Sequence, residues 1–363
     1  MQHESQAPFQ REESGPPIDE RFATRVLFVF GIALVFLLLV ALFWYASNVL
    51  IVGFASVLVA VLLADAAHTI SRRLPLSHGA ALSITLVVVV VLLVLTGLLI
   101  APRIAAQASE LSADLPAALD RFRAFLAGHP ALQQLERQLP SPDALFAGAS
   151  IASKAGLIFS NVLGVVGNAA VIFFVAVYLA ASPSLYIEGA LKLLPPGRRP
   201  RGRAVFRELG MTLTLWLRGK LLSMVIVGAA LGFGLMLLDV PLALTLGVLA
   251  GLLDFIPYIG PILSAVPAVL IAFAQEPRKA VLVIGLFTVM QTLEGYLLLP
   301  MVERKTVSMP PALTVMMQVL MGIGFGLAGV AIATPLTAVL SVLIAMLYVQ
   351  DVLDDAVQLP AQK

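Results

Sequence analysis

The chain has 363 residues, 60% of them hydrophobic and only 12% charged, with a mean hydropathy of +0.99. A soluble domain cannot hide that much apolar surface, so the composition indicates an all-α, polytopic membrane protein whose first partner is the lipid bilayer. The net charge of +2, its positives parcelled among loops, gives no case for nucleic acid, and the absence of cysteine excludes disulfides, thiolate zinc sites and cysteine nucleophiles.

Residues 1–25 read as a disordered cytoplasmic tail, polar and with five acids in the first twenty positions. No secretory signal is expected, because the apolar run that follows is too long for one. Residues 26–101 hold three predicted spans. The first, 26–45, ends on Trp44 and Tyr45, and aromatic side chains favour the interface. The second, 49–64, is followed by Asp65, His68, Arg72 and Arg73; the third, 79–101, is rich in valine and leucine. Residues 102–156 change character. Leu111, Leu115, Leu119, Phe122, Phe125 and Leu126 recur at helical spacing among acids and arginines, as in an amphipathic helical region outside the hydrocarbon. A fourth span follows at 157–181.

Residues 182–220 form a basic segment: Lys192, Arg198, Arg199, Arg201, Arg203, Arg207, Arg218 and Lys220 stand against Glu188 and Glu208. The positive-inside rule makes this segment cytoplasmic, and counting crossings backwards puts the 102–156 region outside. The basic run suits attraction to anionic lipid. Residues 221–349 make up the expected transport core, and 350–363 a C-terminal tail.

The core opens with a span at 221–238. The next stretch, 241–273, is apolar almost throughout, yet it carries Asp254 in its middle and Pro257, Gly260 and Pro261 just after. Proline lacks an amide hydrogen and clashes with the preceding turn, so two half-helices of about 13 residues, roughly 20 Å each, are predicted. Neither crosses a hydrocarbon core of about 30 Å alone. Lipid cannot satisfy the backbone groups freed at such a break, which must be buried in protein or line a wet cavity, the usual place for a transporter's cargo. Residues 280–299 span again with Gln291 and Glu294 inside. Residues 311–349 form a second interrupted stretch, broken by Gly322, Gly324, Gly326 and Gly329.

Segments 221–274 and 280–349 read as an internal repeat. PLALTLGVLAG at 241–251 echoes PALTVMMQVLMG at 311–322, and GPILSAVPAVL at 260–270 echoes GVAIATPLTAVL at 329–340, with Gly260 opposite Gly329. If both broken segments are re-entrant the repeat is inverted, and if both cross it is parallel. The shortness of the halves favours re-entry; the loop charges do not decide.

Of the 21 acids, only Asp254 and Glu294 lie deep inside apolar segments. A charged carboxylate at the bilayer centre costs several kcal/mol, so each is protonated, paired or solvated in a cavity. Two roles fit each residue: a proton or cation relay, or a structural one, with Asp254 capping the second half-helix and Glu294 bonding a neighbouring helix. Tyr258, Gln291 and Tyr296 offer further hydrogen-bonding groups or packing contacts. Enzyme motifs are missing. His3, His68, His78 and His129 make no HExxH pair, no G-x-S-x-G elbow has a buried histidine base, and no Walker A loop is present. No metal or other cofactor is expected.

DFIPYIGPILSAVP at 254–267 resembles a signature of the autoinducer-2 exporter family of bacterial membrane proteins. QTLEGYLLLPMVERKTVSMPPAL at 291–313 resembles that family's second signature, and the glycine run at 324–329 with Pro335 also fits. The resemblance covers about 25–348. It implies a multi-pass transporter of the bacterial inner membrane, with members that export autoinducer-2 in quorum sensing and others associated with sodium–proton antiport. It further implies a homo-oligomer, a pentamer. Trp216 and Lys220 depart from the Tyr and Gln of many members. The expectation is therefore a secondary transporter, ion-gradient-coupled or gradient-driven, exporting a small molecule such as autoinducer-2. Its substrate or ion pathway is expected at Asp254, Pro257, Tyr258, Gly260, Pro261, Gln291, Glu294, Gly326 and Gly329. The alternatives are a sodium–proton antiporter and a passive oligomeric pore or scaffold.

Overall fold

The computed structural model describes residues 28–38, 47–99, 120, 121, 123, 124, 167–298 and 310–356. The expected N-terminal tail, residues 357–363 of the C-terminal tail, residues 26, 27 and 39–45 of the first span, 100 and 101 of the third, nearly all of the 102–156 region, residues 157–166 of the fourth span and the 299–309 loop lie outside the described residues. Among the described residues every regular element is helical. An N-terminal unit, Met1–Leu50, contributes α1 (Phe28–Leu38). The unit Ile51–Lys363 holds the rest.

In that larger unit α2 (Ser47–Arg73) and α3 (His78–Leu99) pack with α4 (Gly167–Ala181) through small side chains: Ala60, Ala67, Ala81, Ala176 and Ala180 are all buried together. Small residues let helices approach closely where no hydrophobic force from water draws them together. The ring Nε2 of His78 lies 3.1 Å from the Ala180 carbonyl and ties α3 to the end of α4. Helix α5 (Pro183–Lys192) leaves α4 at 83°. Among the described residues four helices are long and apolar enough to cross a membrane, or five if the bent α4–α5 pair counts as one span. Large apolar side chains on their outer faces, such as Val225 at 68% and Met316 at 73% exposure, are the surface that lipid covers.

The spine is α6 (Arg199–Leu237), 39 residues and about 58 Å of continuous helix. Here the structure corrects the sequence reading, which ended the basic cytoplasmic segment at 220 and began a separate span at 221. Gly202, Gly210 and Gly219 lower helix propensity without breaking the helix, and the backbone hydrogen-bond ladder runs through them. Lys220 thus sits in mid-helix, buried, and does not belong to a solvated loop.

Two broken elements pack against this spine. The first comprises α7 (Ala243–Leu253) and α8 (Ile259–Gln275), of 11 and 17 residues rather than about 13 each. Helix α7 lies along the C-terminal half of α6, where a side chain at Gly251 would come within 2.7 Å of the Met224 carbonyl. At the bend Tyr258 takes a positive φ of 66°, and Gly260 meets the Leu253 carbonyl, leaving no room for a Cβ. Both ends of the pair return to one place. The Lys279 ammonium, in the first turn of α9 (Pro277–Leu293), donates to the Asp239 carbonyl at the α6–α7 turn over 3.2 Å. Val240, Leu242, Ile271, Ala272 and Ala280 share a single core. The α7–α8 pair is therefore a hairpin that leaves at the end it entered. Arg121 also reaches this end, donating to the Ala274 carbonyl over 2.7 Å.

The second broken element is α10 (Pro311–Ile344), which departs from helical geometry at Gly326, with φ 61° and ψ −150°. A straight helix would hold Met321 and Gly329 about 12 Å apart; instead Gly329 touches the Met321 carbonyl, and Met321 shares a core with Ile332 and Ala333. The chain folds back here as well. The second arm of α10, with the wide turn Ala345–Gln350 that follows it, runs down α6 towards its N-terminus, burying Val342, Ala345 and Met346 against Val205. Arg201 fixes its end by donating to the Met346 carbonyl and pairing with Asp351 at 2.8 Å. The first hairpin opens at the C-terminal end of α6 and the second arm of α10 leaves at the N-terminal end, so the two bends enter the bundle from opposite directions.

Gly260 and Gly329 occupy matching places in the two bends, each against the carbonyl of a residue seven or eight positions earlier. Gly260→Ala and Gly329→Ala should each destabilise the protein by roughly 2 kcal/mol or more, because the obstacle is backbone that cannot rotate away. Gly285→Ala, where a Cβ meets nothing within 4 Å, is the control and should be neutral or stabilising. Thermal melts in detergent check this.

Candidate functional site

The tip of the first hairpin comes to rest halfway along α6. Phe255 packs edge-on against Trp216, ring centroids 5.9 Å apart, and this contact sets the depth of the tip. It delivers Asp254, the residue that ends α7, to the face of α6 that carries Lys220 and Ser223, three positions apart and so on one side of the helix. Glu294 arrives from a third direction. It begins a single wide turn, Glu294–Leu298, that closes α9, and such π-turns occur often at functional sites.

The four side chains form one cluster. The Lys220 ammonium lies 3.0 Å from Asp254 Oδ2 and 3.5 Å from Glu294 Oε1. The Ser223 hydroxyl lies 3.0 Å from Asp254 Oδ2 and 3.4 Å from Glu294 Oε1; with one proton to give, it serves one carboxylate at a time. Gln291 donates to the other oxygen of Glu294 over 3.0 Å. Asp254 is 1% exposed and Lys220 9%. A buried ion pair needs good geometry and added hydrogen bonds to offset desolvation, and the serine and glutamine supply them. With all three groups ionised, two carboxylates and one ammonium carry a formal charge of −1, which a single further monovalent cation neutralises.

The second broken element touches the first at this level. Gln318, on the first arm of α10, donates to the Pro257 carbonyl over 3.0 Å, satisfying a backbone group that the break had freed. Among the described residues four buried side-chain oxygens have no hydrogen-bond partner, those of Thr212, Asp254 (Oδ1), Gln318 (Oε1) and Thr334. An unsatisfied buried oxygen is expensive, and two of these, on Asp254 and Gln318, occur where the hairpins meet.

Of the predicted site residues, Asp254, Gln291 and Glu294 are brought together. Asp254 does not cap α8: the residue at that position is Tyr258, with no side-chain cap bond, and Asp254 instead receives the lysine and serine. Pro257 contributes its carbonyl. Tyr258 takes up the strained turn and is 43% exposed, Gly260 permits the close return, and the Pro261 carbonyl accepts from Ser264. Gly326 and Gly329 shape the second bend, and Tyr296 points outward at 80% exposure. The sequence reading missed Lys220, Ser223 and Gln318. Their signals were present: Lys220 and Ser223 are helical neighbours at the start of an apolar run, and Gln318 is the only amide side chain between 311 and 349.

Three arginine–carboxylate pairs hold other elements to the basic half of α6. Arg218 grips Asp65 of α2 at 2.6 Å, Arg203 grips Glu188 of α5 at 2.7 Å, and Arg201 holds Asp351. They fix the frame in which the cluster sits.

Helical hairpins that meet at a buried, charge-unbalanced cluster define a membrane protein of the transporter class. The chain belongs to the AI-2E transporter family, whose model matches residues 32–348. It is 33% identical over 184 residues to "Putative transport protein YueF" of Bacillus subtilis, and 30% identical over 210 residues to "Putative transport protein YrrI" of the same organism. These matches cover 50% and 58% of the chain and span 50% and 59% of the relatives' own lengths. A match to "Putative permease PerM" of Escherichia coli is 28% identical over 356 residues, 93% of this chain and 95% of that one.

Removing the shared cation should be the costliest change in the cluster. Lys220→Met leaves two buried carboxylates without their ammonium and should destabilise the protein by roughly 3 kcal/mol or more, while Lys220→Met/Asp254→Asn should recover much of that loss. Glu294→Gln alone should cost less than Lys220→Met, since the shorter Lys220–Asp254 contact survives it. Melting temperatures of the four proteins at neutral pH provide the check.

Proposed function

We propose that this chain is a secondary transporter of the bacterial inner membrane that exports a small molecule, with movement of a cation through the Lys220–Asp254–Glu294 cluster coupled to movement of the cargo. The charge of −1 left in the buried cluster carries the reading: binding and release of one monovalent cation switches the cluster between neutral and charged. In an apolar bundle that switch changes which arrangement of the hairpin tips is stable. The tip of the first hairpin leans on the first arm of α10 through Pro257 and Gln318, so in this reading an ion held at the first element is felt at the second. Residues 221–349 form the transport core in this reading, and the remaining helices frame it. An apolar recess of about 760 Å³ along α6 and α7, lined by Leu221, Met224, Gly228, Gly232, Val248 and Leu252, offers a surface for the apolar part of a cargo. Autoinducer-2 is the first cargo to try, because the chain resembles the exporter family on its two signature stretches. The relatives' names, two transport proteins and a permease, agree with transport in general. Homo-oligomeric assembly is part of the proposal.

Sodium–proton antiport is the second reading, favoured by the same pair of carboxylates without need of an organic cargo. The discriminating experiment is a paired assay in proteoliposomes, pH-gradient-driven uptake against downhill exchange of labelled autoinducer-2. Glu294→Gln keeps size and hydrogen bonding but removes an ionisable group. It should lower driven uptake by about tenfold or more, the equivalent of 1.4 kcal/mol of lost coupling, and leave exchange within about twofold of wild type. Loss of neither activity would make the cluster structural and favour a passive pore. Proton flux driven by a sodium gradient with no organic cargo would favour the antiporter.

A further inference from the structure

We propose that Lys220 is a tethered cation filling the place an alkali metal ion would otherwise take between Asp254 and Glu294, so that the intact site accepts protons and rejects sodium and potassium. The inference rests on the coupling role proposed above and deepens it by naming the ion. A hard monovalent cation requires several oxygen ligands around one point. The chain gathers three of them here, Asp254 and Glu294 from two elements and the Ser223 hydroxyl from a third, with the Pro257 carbonyl three residues beyond Asp254 on the same hairpin and the Gln318 side chain of the second hairpin bonded to it. Asp254 Oδ1 and Gln318 Oε1 are buried and have no hydrogen-bond partner. An ammonium resembles a partly dehydrated alkali ion in charge and size, and that of Lys220 sits within 3.0 and 3.5 Å of the two carboxylates.

With the lysine in place a metal ion has neither the room nor the charge to enter. Only one negative charge is left to neutralise, and part of the oxygen shell already faces the ammonium. A proton needs no shell, because it adds to a single carboxyl oxygen. The neighbouring charges do not change the count. Arg218, two residues away on α6, is occupied by Asp65, and α10 presents the neutral Gln318. Without the lysine the cluster carries −2 and an unfilled space at the ammonium's position, and an alkali ion fits both.

The test is alkali-ion binding, read without any transport. Purified wild type, Lys220→Gln and Lys220→Ser are melted in choline chloride and in sodium or potassium chloride at equal ionic strength, and binding of radioactive sodium is measured in parallel. Wild type should melt at the same temperature in all three salts. Both variants should gain a saturable rise of several degrees in at least one alkali salt. The rise should disappear in Lys220→Gln/Asp254→Asn. A variant that can be purified only in alkali salt counts as the same response. A saturable alkali-dependent rise in wild type that is lost in Asp254→Asn would overturn the proposal, and so would folded Lys220→Gln and Lys220→Ser that bind no alkali ion. Failure of the coupling reading shows instead as absent pH-driven flux and leaves these binding results standing.

Discussion

Two carboxylates sharing one ammonium inside an apolar bundle is the constraint on which the rest of the structure depends. None of the three groups could be held singly at that depth: each would cost several kcal/mol unless paired or neutralised. They must therefore arrive together, from three elements distant in sequence, with Lys220 on α6, Asp254 at the end of α7 and Glu294 at the end of α9. Each element has a local feature that permits the meeting. Helix α7 stops after 11 residues and turns back, α9 closes on a widened turn, and α6 runs unbroken past the level where the charges collect.

The glycines follow from the same requirement. A hairpin that stops in mid-bundle must reverse within a few residues, and the return strand of each bend presses on the carbonyl of the arm before it. Only a residue without a Cβ fits at Gly260 and Gly329. The bend also strands backbone carbonyls, and Gln318 answers one of them across the gap between the hairpins. A reversal made in water would need no such answer; one made in a protein interior does. The arginine pairs on the basic half of α6 belong to a different regime, where exposed ion pairs contribute little each and serve mainly to register α2, α5 and the C-terminal turn against the spine.

Much of the plan was legible in the sequence because bilayer proteins announce themselves by length and composition. The broken segment at 241–273 was visible from Asp254, Pro257 and Pro261 alone, while the shortness of its halves only favoured re-entry over crossing and left both open. The matching of Gly260 to Gly329 was legible as a faint echo, and the bends give it a physical reason. What was not legible was the extent of α6. Helical periodicity is hard to follow through a run crowded with arginine, and the charge rule drew Lys220 into the cytoplasmic segment with its neighbours. That one misplacement hid the cluster, since Asp254 and Glu294 without their cation look like two separate problems. Gln318 was hidden for another reason: a lone amide in an apolar stretch declares that it needs a partner but not which one.

The account stands or falls on whether the cluster itself takes up and releases a proton. Infrared difference spectroscopy between acidic and alkaline pH, on the purified protein in lipid, sees a protonated carboxyl group directly through its carbonyl stretch. The account predicts one pH-dependent carboxylic-acid band in wild type, in the region of groups shielded from water, that disappears in Asp254→Asn/Glu294→Gln. A wild-type spectrum without such a band, or a band that survives intact in the double variant, would contradict it.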